Sequence, residues 1–398
     1  MIWPGRLRLL CAWLGLSAWL GLSALGAAPA SGAAPPSHER SLGPRLERWL
    51  LTKGHGRLRP DPALAAAAVE NSRALAELAG SERLGLTEHL QFLLERHQVR
   101  DAVVLAFGGR FSSPADLWRR ILGFVGERLP GAELTHYGIG VAPMAPSASM
   151  PEGSLAATVI LVRRRVEVGS LRAIRGRPLE LCGSVRGGAL RVLATTPGGR
   201  VLEAKPERRG HRFCARLGRA EQGRYQLELM VGGSLGPEVA ALFPVFVGEA
   251  PPSLPVQKIY RPSALDGDAA ERTLVSLLQR ARRQAGVPPL APATELRHAA
   301  RRHSAEMMAR SFFGHRSPWR GGLARRLAEE QLPYLQASEN LALSTSPERA
   351  HDALLASPAH RRNLLDPALT HFGLGVAVDP GRGILYITQC FARLADPP

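Results

Sequence analysis

The sequence predicts an α+β chain in which one α/β module occurs twice around a β-rich middle. The block LTHYGIGVA at 134–142 returns as LTHFGLGVA at 369–377. PDPALAAAAVENSRALAE at 60–77 returns as PATELRHAARRHSAEMMA at 292–309, with Leu64 and Ser72 falling on Leu296 and Ser304 at one constant offset. Between the copies, residues 168–252 have no helical periodicity; runs such as LRVLATT and YQLELMV alternate with glycine-containing turns, as strands do. A chain of 398 residues has room for two or three domains, and the repeat makes the expectation three.

The elements follow in chain order. Residues 1–33 read as a secretory signal: Arg6 and Arg8, the apolar run LLCAWLGLSAWLGLSALGAA, then small residues at Ala28-Pro29-Ala30. A run of this length has an uncleaved membrane anchor as its alternative. The first module spans 40–167, with a helix over 60–77, a second opened by the Ser-Pro step of SSPADLWRRILGFV, and a strand pair in LTHYGIGVA and ATVILVRRRV. Residues 168–252 predict an all-β sandwich, only loosely immunoglobulin-like. A Pro-rich linker at 253–263 leads to the last module, 264–398. It opens with the amphipathic helix ERTLVSLLQRARRQAG, ended by Gly286. HAARRHSAEMMAR makes a second helix and STSPERAHDALLAS a third, before the closing strand pair LTHFGLGVA and ILYITQCFARL.

The composition, 45% hydrophobic and 21% charged, excludes a wholly disordered chain. The charge sum of +17 is almost entirely arginine, since Lys53, Lys205 and Lys258 are the only lysines. Those arginines are scattered and mixed with acids, without zinc-finger spacing or an RNA-binding aromatic motif. No specific nucleic-acid partner is expected, only general electrostatic contact with acidic surfaces. Without the leader, Cys182, Cys214 and Cys390 remain. Cys182 and Cys214 share one β-rich segment and are expected to pair, closing a loop worth about 3–4 kcal/mol. Cys390 is expected to be a buried free thiol.

In the last module the two helices are followed by FFGHRSP, SENLA, SPAHRRNLLD, THFGLGVAV and YITQCF. This succession resembles the CAP superfamily, the SCP-like or cysteine-rich secretory protein and antigen 5 domains, in its bacterial secreted form, over roughly residues 264–394. The resemblance implies an α-β-α sandwich with a cleft lined by two histidines and acidic residues. It makes His315 the first histidine, Glu339 the acid and His360 the second histidine. A fourth cleft position, a glutamate in many animal members, falls near Ser357, which leaves that carboxylate missing. Asn340, beside Glu339, is expected to fix its loop by backbone hydrogen bonding.

Two neutral imidazoles and a carboxylate suit Zn²⁺ or another divalent ion with water in an open position, so His315, His360 and Glu339 are candidate metal ligands. Without a metal, the carboxylate would raise a histidine's pKa and make it an acid or base. The plainer reading is that the histidines brace loops. His303, which matches Asn71, is expected to pack or lie on the surface. His371 and His136 belong to a structural Thr-His pair, and His298 and His351 to solvated helix faces. In the first copy Ala106 stands where Glu339 does and the SPAHRRN segment becomes ILGFVGERL, so this module reads as a degenerate CAP-like domain.

These features favour a secreted, periplasmic or envelope protein that binds a lipid, protein or glycan ligand through a His/Glu cleft. One alternative is a metal-dependent hydrolase or peptidase using metal-bound water, because Ser338, Ser344 and Ser357 lie in no nucleophile motif. The other is a structural envelope protein with a vestigial cleft.

Overall fold

The computed structural model describes residues 37–53, 56–77, 86–101, 104–128, 134–146, 150–251 and 266–395. The expected signal at 1–33 and linker at 253–263 lie outside the described residues. Among the described residues no helix is long and apolar enough to cross a membrane. Helices and sheets are both present, and the chain divides after Arg164 into two compact units.

The first unit runs α1 (Ser37–Thr52), β1 (Arg59–Pro60), α2 (Pro62–Glu77), α3 (Leu86–Arg96), β2 (Val104–Phe111), α4 (Pro114–Arg128), β3 (His136–Pro143) and β4 (Leu155–Val162). Its sheet has the order β1-β3-β4-β2, with β1 parallel to β3 and the other pairs antiparallel. Asp61 starts α2 by accepting the Leu64 N–H at 2.9 Å, next to a proline whose fixed φ suits the first turn. The small residues of α2 allow close approach to the sheet: a Cβ added at Gly138 or Gly140 would stand 2.2 or 2.3 Å from the backbone of Leu64 or Ala68. Leu64, Ala67 and Ala68 share a core with Leu90, Leu93 and Leu94 of α3 and with Ile160 and Val162 of β4.

The second unit begins with β5 (Val166–Arg172), β6 (Pro178–Val185), β7 (Leu190–Thr195), β8 (Val201–Ala204), β9 (Glu207–Arg209), β10 (Arg212–Arg219), β11 (Gly223–Gly233) and β12 (Gly236–Val247). They form two antiparallel sheets, β5-β6-β10-β9 and β12-β11-β7-β8. One core joins them, with Leu181 and Phe213 from the first sheet and Val192, Leu229 and Phe243 from the second. Cys182 and Cys214 sit opposite each other on β6 and β10 and are joined by a disulfide.

The same unit continues with α5 (Gly267–Gln284), β13 (Ala291–Pro292), α6 (Thr294–Ala309), α7 (Leu323–Glu329), β14 (Tyr334–Ser344), α8 (Pro347–Ala356), α9 (Pro358–Leu365), β15 (His371–Asp379) and β16 (Ile384–Leu394). The sheet order β13-β15-β16-β14 repeats that of the first unit. Side chains alternate across a strand, and β16 uses both faces. Leu385, Ile387 and Phe391 join a core with Leu274 and Leu278 of α5, Leu354 of α8 and Leu364 of α9. Cys390 and Ala392 face the other way, onto Leu296 and Ala300 of α6 and Leu327 of α7. Helices therefore cover both faces of the sheet. Gly373 and Gly375 let α6 approach closely, since a Cβ there would come within 2.1–2.2 Å of helix backbone.

Two local expectations change. Asn340 lies within β14, opposite Gln389, rather than in a loop. A buried amide is tolerated there because its hydrogen bonds are made inside the protein. His351 is buried, not solvated, because α8 packs against both α5 and β14.

Candidate functional site

The candidate residues converge where β14, α9 and the segment before α7 meet. Period-two alternation turns Glu339 towards the α6 face, and there its carboxylate is fixed at both oxygens. His315 donates from Nδ1 to Oε1 at 2.9 Å, and Arg326 of α7 donates to Oε2 at 2.6 Å. The Glu339 side chain is 3% exposed and that of Arg326 0%. Burial alone would raise the Glu339 pKa; the His315 hydrogen bond and the Arg326 charge outweigh it and hold the carboxyl below its ordinary value. Because Nδ1 of His315 is committed to the carboxylate, Nε2 is the nitrogen left for a ligand.

His360 sits in the first turn of α9. Ser357 ends α8 and caps α9, accepting the His360 N–H at 3.4 Å. Burial, with the neighbouring His315, pushes the His360 pKa down to about 3, so its ring is neutral at physiological pH. Asn340 ties α9 to β14: Nδ2 donates to His360 O at 3.1 Å, while Oδ1 accepts from Asn363 Nδ2 at 2.9 Å. The structure thus brings His315, Glu339, Asn340 and His360 into one site. A cavity of about 260 Å³ opens beside them, bordered by His315, Glu339, His360 and Asn363.

The sequence reading missed three residues. Arg326 clamps the acid, but as one arginine among many in LARRLAEE it carries no distinguishing signal. His303 is fully buried and donates from Nε2 to Gly314 O at 3.0 Å, fixing the backbone just before His315. Burial drives its pKa to about 4, against a smaller raising effect from Glu339. The third is Glu228, on β11. Its carboxylate is buried against the Ser357 segment, away from the cavity lining: Ser357 Oγ donates to one oxygen at 2.6 Å and Ala359 N–H to the other at 2.7 Å. Its signal was legible, a charged residue inside the apolar strand run YQLELMV.

The donor set does not fit a three-ligand metal centre. Glu339 has both oxygens engaged, one by a fully buried guanidinium, and a dication on that carboxylate would face Arg326 directly. Two imidazoles remain, short of the usual three protein ligands. Among the described residues no three His, Cys, Asp or Glu side chains are grouped to hold an ion.

Three comparisons report what the chain is similar to. Residues 275–391 match the model of the cysteine-rich secretory protein family, CAP. The uncharacterized protein YkwD of Bacillus subtilis is 33% identical over 108 residues, which are 27% of this chain and 42% of that protein. The chain thus spans about two fifths of the length of this curated relative. A solved extracellular protein containing an SCP domain from Bacillus anthracis is 17% identical, with 69% of this chain and 92% of that one covered at a TM-score of 0.29. An outer surface protein of Borrelia burgdorferi is 16% identical, with 34% and 100% covered at a TM-score of 0.31.

Proposed function

Starting from the CAP domain of the cysteine-rich secretory protein family that residues 275–391 form, we propose that the chain is an extracellular or envelope binding protein whose cleft holds a ligand against His315 and His360. The observation that carries this is the double clamp on Glu339. A carboxylate satisfied at both oxygens is a poor general base and a poor metal ligand, but it fixes the imidazole of His315 in one tautomer and one orientation. His360, held neutral by burial, adds a second polar contact, and Asn340 holds its segment through the His360 carbonyl. Such a site recognises a hydrogen-bonding group without needing to activate water. Against the hydrolase alternative, Glu339 is tied to His315 and Arg326, and Ser357, the serine nearest His360, donates its hydroxyl to Glu228.

In this reading the β-sandwich at 168–252 is an immunoglobulin-like partner domain, and the leader directs export. The module at 40–167 is a degenerate CAP-like domain retained as scaffold. Support for the last comes from strand register. Ala106 lies opposite Ile160, as Glu339 lies opposite Cys390, at equivalent places in two sheets of one order.

Native mass spectrometry of the exported full chain tests the binding reading. A small-molecule adduct is expected on the wild type and lost in His315→Ala/His360→Ala; identical spectra would oppose the reading. Zn²⁺ calorimetry tests the metal-free part. Equal heats are expected for wild type and Glu339→Gln, whereas a loss of affinity on removing the carboxylate would restore the three-ligand site.

A further inference from the structure

The β-sandwich touches the CAP domain at the two segments that carry the histidines. At the first, the β11–β12 hairpin meets the segment holding His315. Arg316 N–H donates to Leu235 O at 2.8 Å, and a Cβ added at Gly314 would stand 2.6 Å from the Leu235 Cβ. At the second, Glu228 accepts the Ser357 and Ala359 donors at the start of α9, and Arg361 Nε donates to Gly199 O at 3.2 Å. The cavity between these contacts is therefore walled from both sides, with Arg191, Met230 and Pro237 of the sandwich facing His315, His360 and Arg362.

The polar chemistry of that cavity is one-sided. Glu339 is paired with Arg326 and hydrogen-bonded by His315, and Glu228, fully buried between two uncharged donors, has its pKa raised by that burial. Glu203 is shared by Arg191 at 2.7 Å and Arg362 at 2.5 Å. Hydrogen bonding to Arg191, ahead of an opposing burial effect, holds the Glu203 pKa at about 2, so this acid is ionised and cancels one of the two guanidinium charges. Two guanidiniums stand against the one Glu203 carboxylate: Arg191 spends Nε and Nη2 on it and Arg362 spends Nη1, so Nη1 of Arg191 and the other N–H groups of Arg362 lie outside that ion pair, beside apolar Met230 and Pro237.

We infer that the cleft is a two-domain pocket for a small ligand bearing an oxyanion, carboxylate or phosphate, with Arg191 of the sandwich as the residue that recognises the anion. Met230 and Pro237 take the apolar part of the ligand. Glu228 and the Leu235 hairpin keep the two walls together. This deepens the binding reading above and rests on it.

The test uses the full chain with ¹³C-methyl-labelled methionine, following the Met230 methyl signal as butyrate, inorganic phosphate or uncharged butyramide is added. At least one of the anions is expected to shift Met230 saturably and at least tenfold more tightly than butyramide. Saturation by butyrate alone identifies a carboxylate ligand, and by phosphate alone a phosphate-bearing one. Arg191→Gln, at a partly exposed position that does not threaten folding, is expected to weaken anion binding about tenfold to a hundredfold. His315→Ala is expected to abolish the response. If butyramide binds as well as the anions and His315→Ala abolishes it, the oxyanion inference falls while the cleft reading stands. Anion binding unchanged in Arg191→Gln would remove the sandwich from the site. If no probe shifts Met230 and the native chain also carries no adduct, both readings fall.

Discussion

In each α/β module a serine buried on the long helix makes the same pair of hydrogen bonds. Ser72 donates to Gly140 O at 3.0 Å and lies 3.0 Å from Thr158 Oγ1; Ser304 donates to Gly375 O at 2.9 Å and lies 2.8 Å from Thr388 Oγ1. Thr135 and His136 are hydrogen-bonded to each other, as are Thr370 and His371. One residue before each serine the modules part company. Asn71 bonds Thr158, staying within the fold, whereas His303 reaches the Gly314 carbonyl and so supports the site. Two residues along the edge strand from the threonine's partner stands Ala106 in one module and Glu339 in the other. The contrast separates two layers of sequence. Glycine, serine and threonine at the helix–sheet contact build the module, and the histidines, acid and arginine are added onto it without altering that contact.

The sharpest way to break the comparison is at the shared layer. Gly140→Ala and Gly375→Ala each drive a Cβ into helix backbone and are expected to cost about 4 kcal/mol or more, each unfolding its own module. Urea unfolding followed by hydrogen exchange would locate the loss; a tolerated alanine in either module would end the equivalence. Next comes the added layer. Glu339→Ala strands the Arg326 charge in the interior and is expected to cost about 3–5 kcal/mol by urea unfolding. The Glu339→Gln/Arg326→Met pair should lie closer to wild type than either single variant, and Ala106→Ser should cost less than about 1 kcal/mol.

A pH dependence should divide the modules too. His303 stays neutral in the fold down to about 4, against an ordinary value of 6.5, so the unfolded chain takes up the proton first. The stability that its burial in neutral form allows is fully present above pH 6.5. It falls by about 2–3 kcal/mol as the pH drops towards 4. Urea midpoints at several pH values should show this slope for the second unit, where His360, neutral down to about 3, adds to it, and His303→Asn, copying the first module, should reduce it by the His303 share. The smallest effect should be the most symmetrical: Ser72→Ala and Ser304→Ala are each expected to cost about 1–2 kcal/mol, and unequal losses would mean the two networks are not alike.

Much of this plan was legible in the sequence. The G-x-G of HYGIGVA and HFGLGVA, the helix serines and the Ser-Pro steps are local signals that recur, and recurrence made them visible. His315, Glu339 and His360 were found by family resemblance, since their spacing alone has no chemical meaning. Arg326 was invisible because nothing local marks one guanidinium that will be buried in a chain with so many. Asn340 was misread as a loop residue because its buried partners, His360 O and Asn363, are distant in sequence. Glu228 carried a signal, an acid inside an apolar strand, but its partners Ser357 and Ala359 lie 129 and 131 residues further on, and no single-segment pattern joins them.

Cys390 has a consequence for how the chain matures. It is buried beside Glu339, and burial with that neighbouring charge pushes its pKa well above the ordinary value, so the finished fold keeps it as an unreactive thiol. Before folding it has no such protection. In a chain exported as proposed, Cys182 and Cys214 emerge before Cys390, so the native bridge can form while that thiol is still being made or threaded. In that case the order of emergence keeps Cys390 from competing for the pair before the fold closes over it.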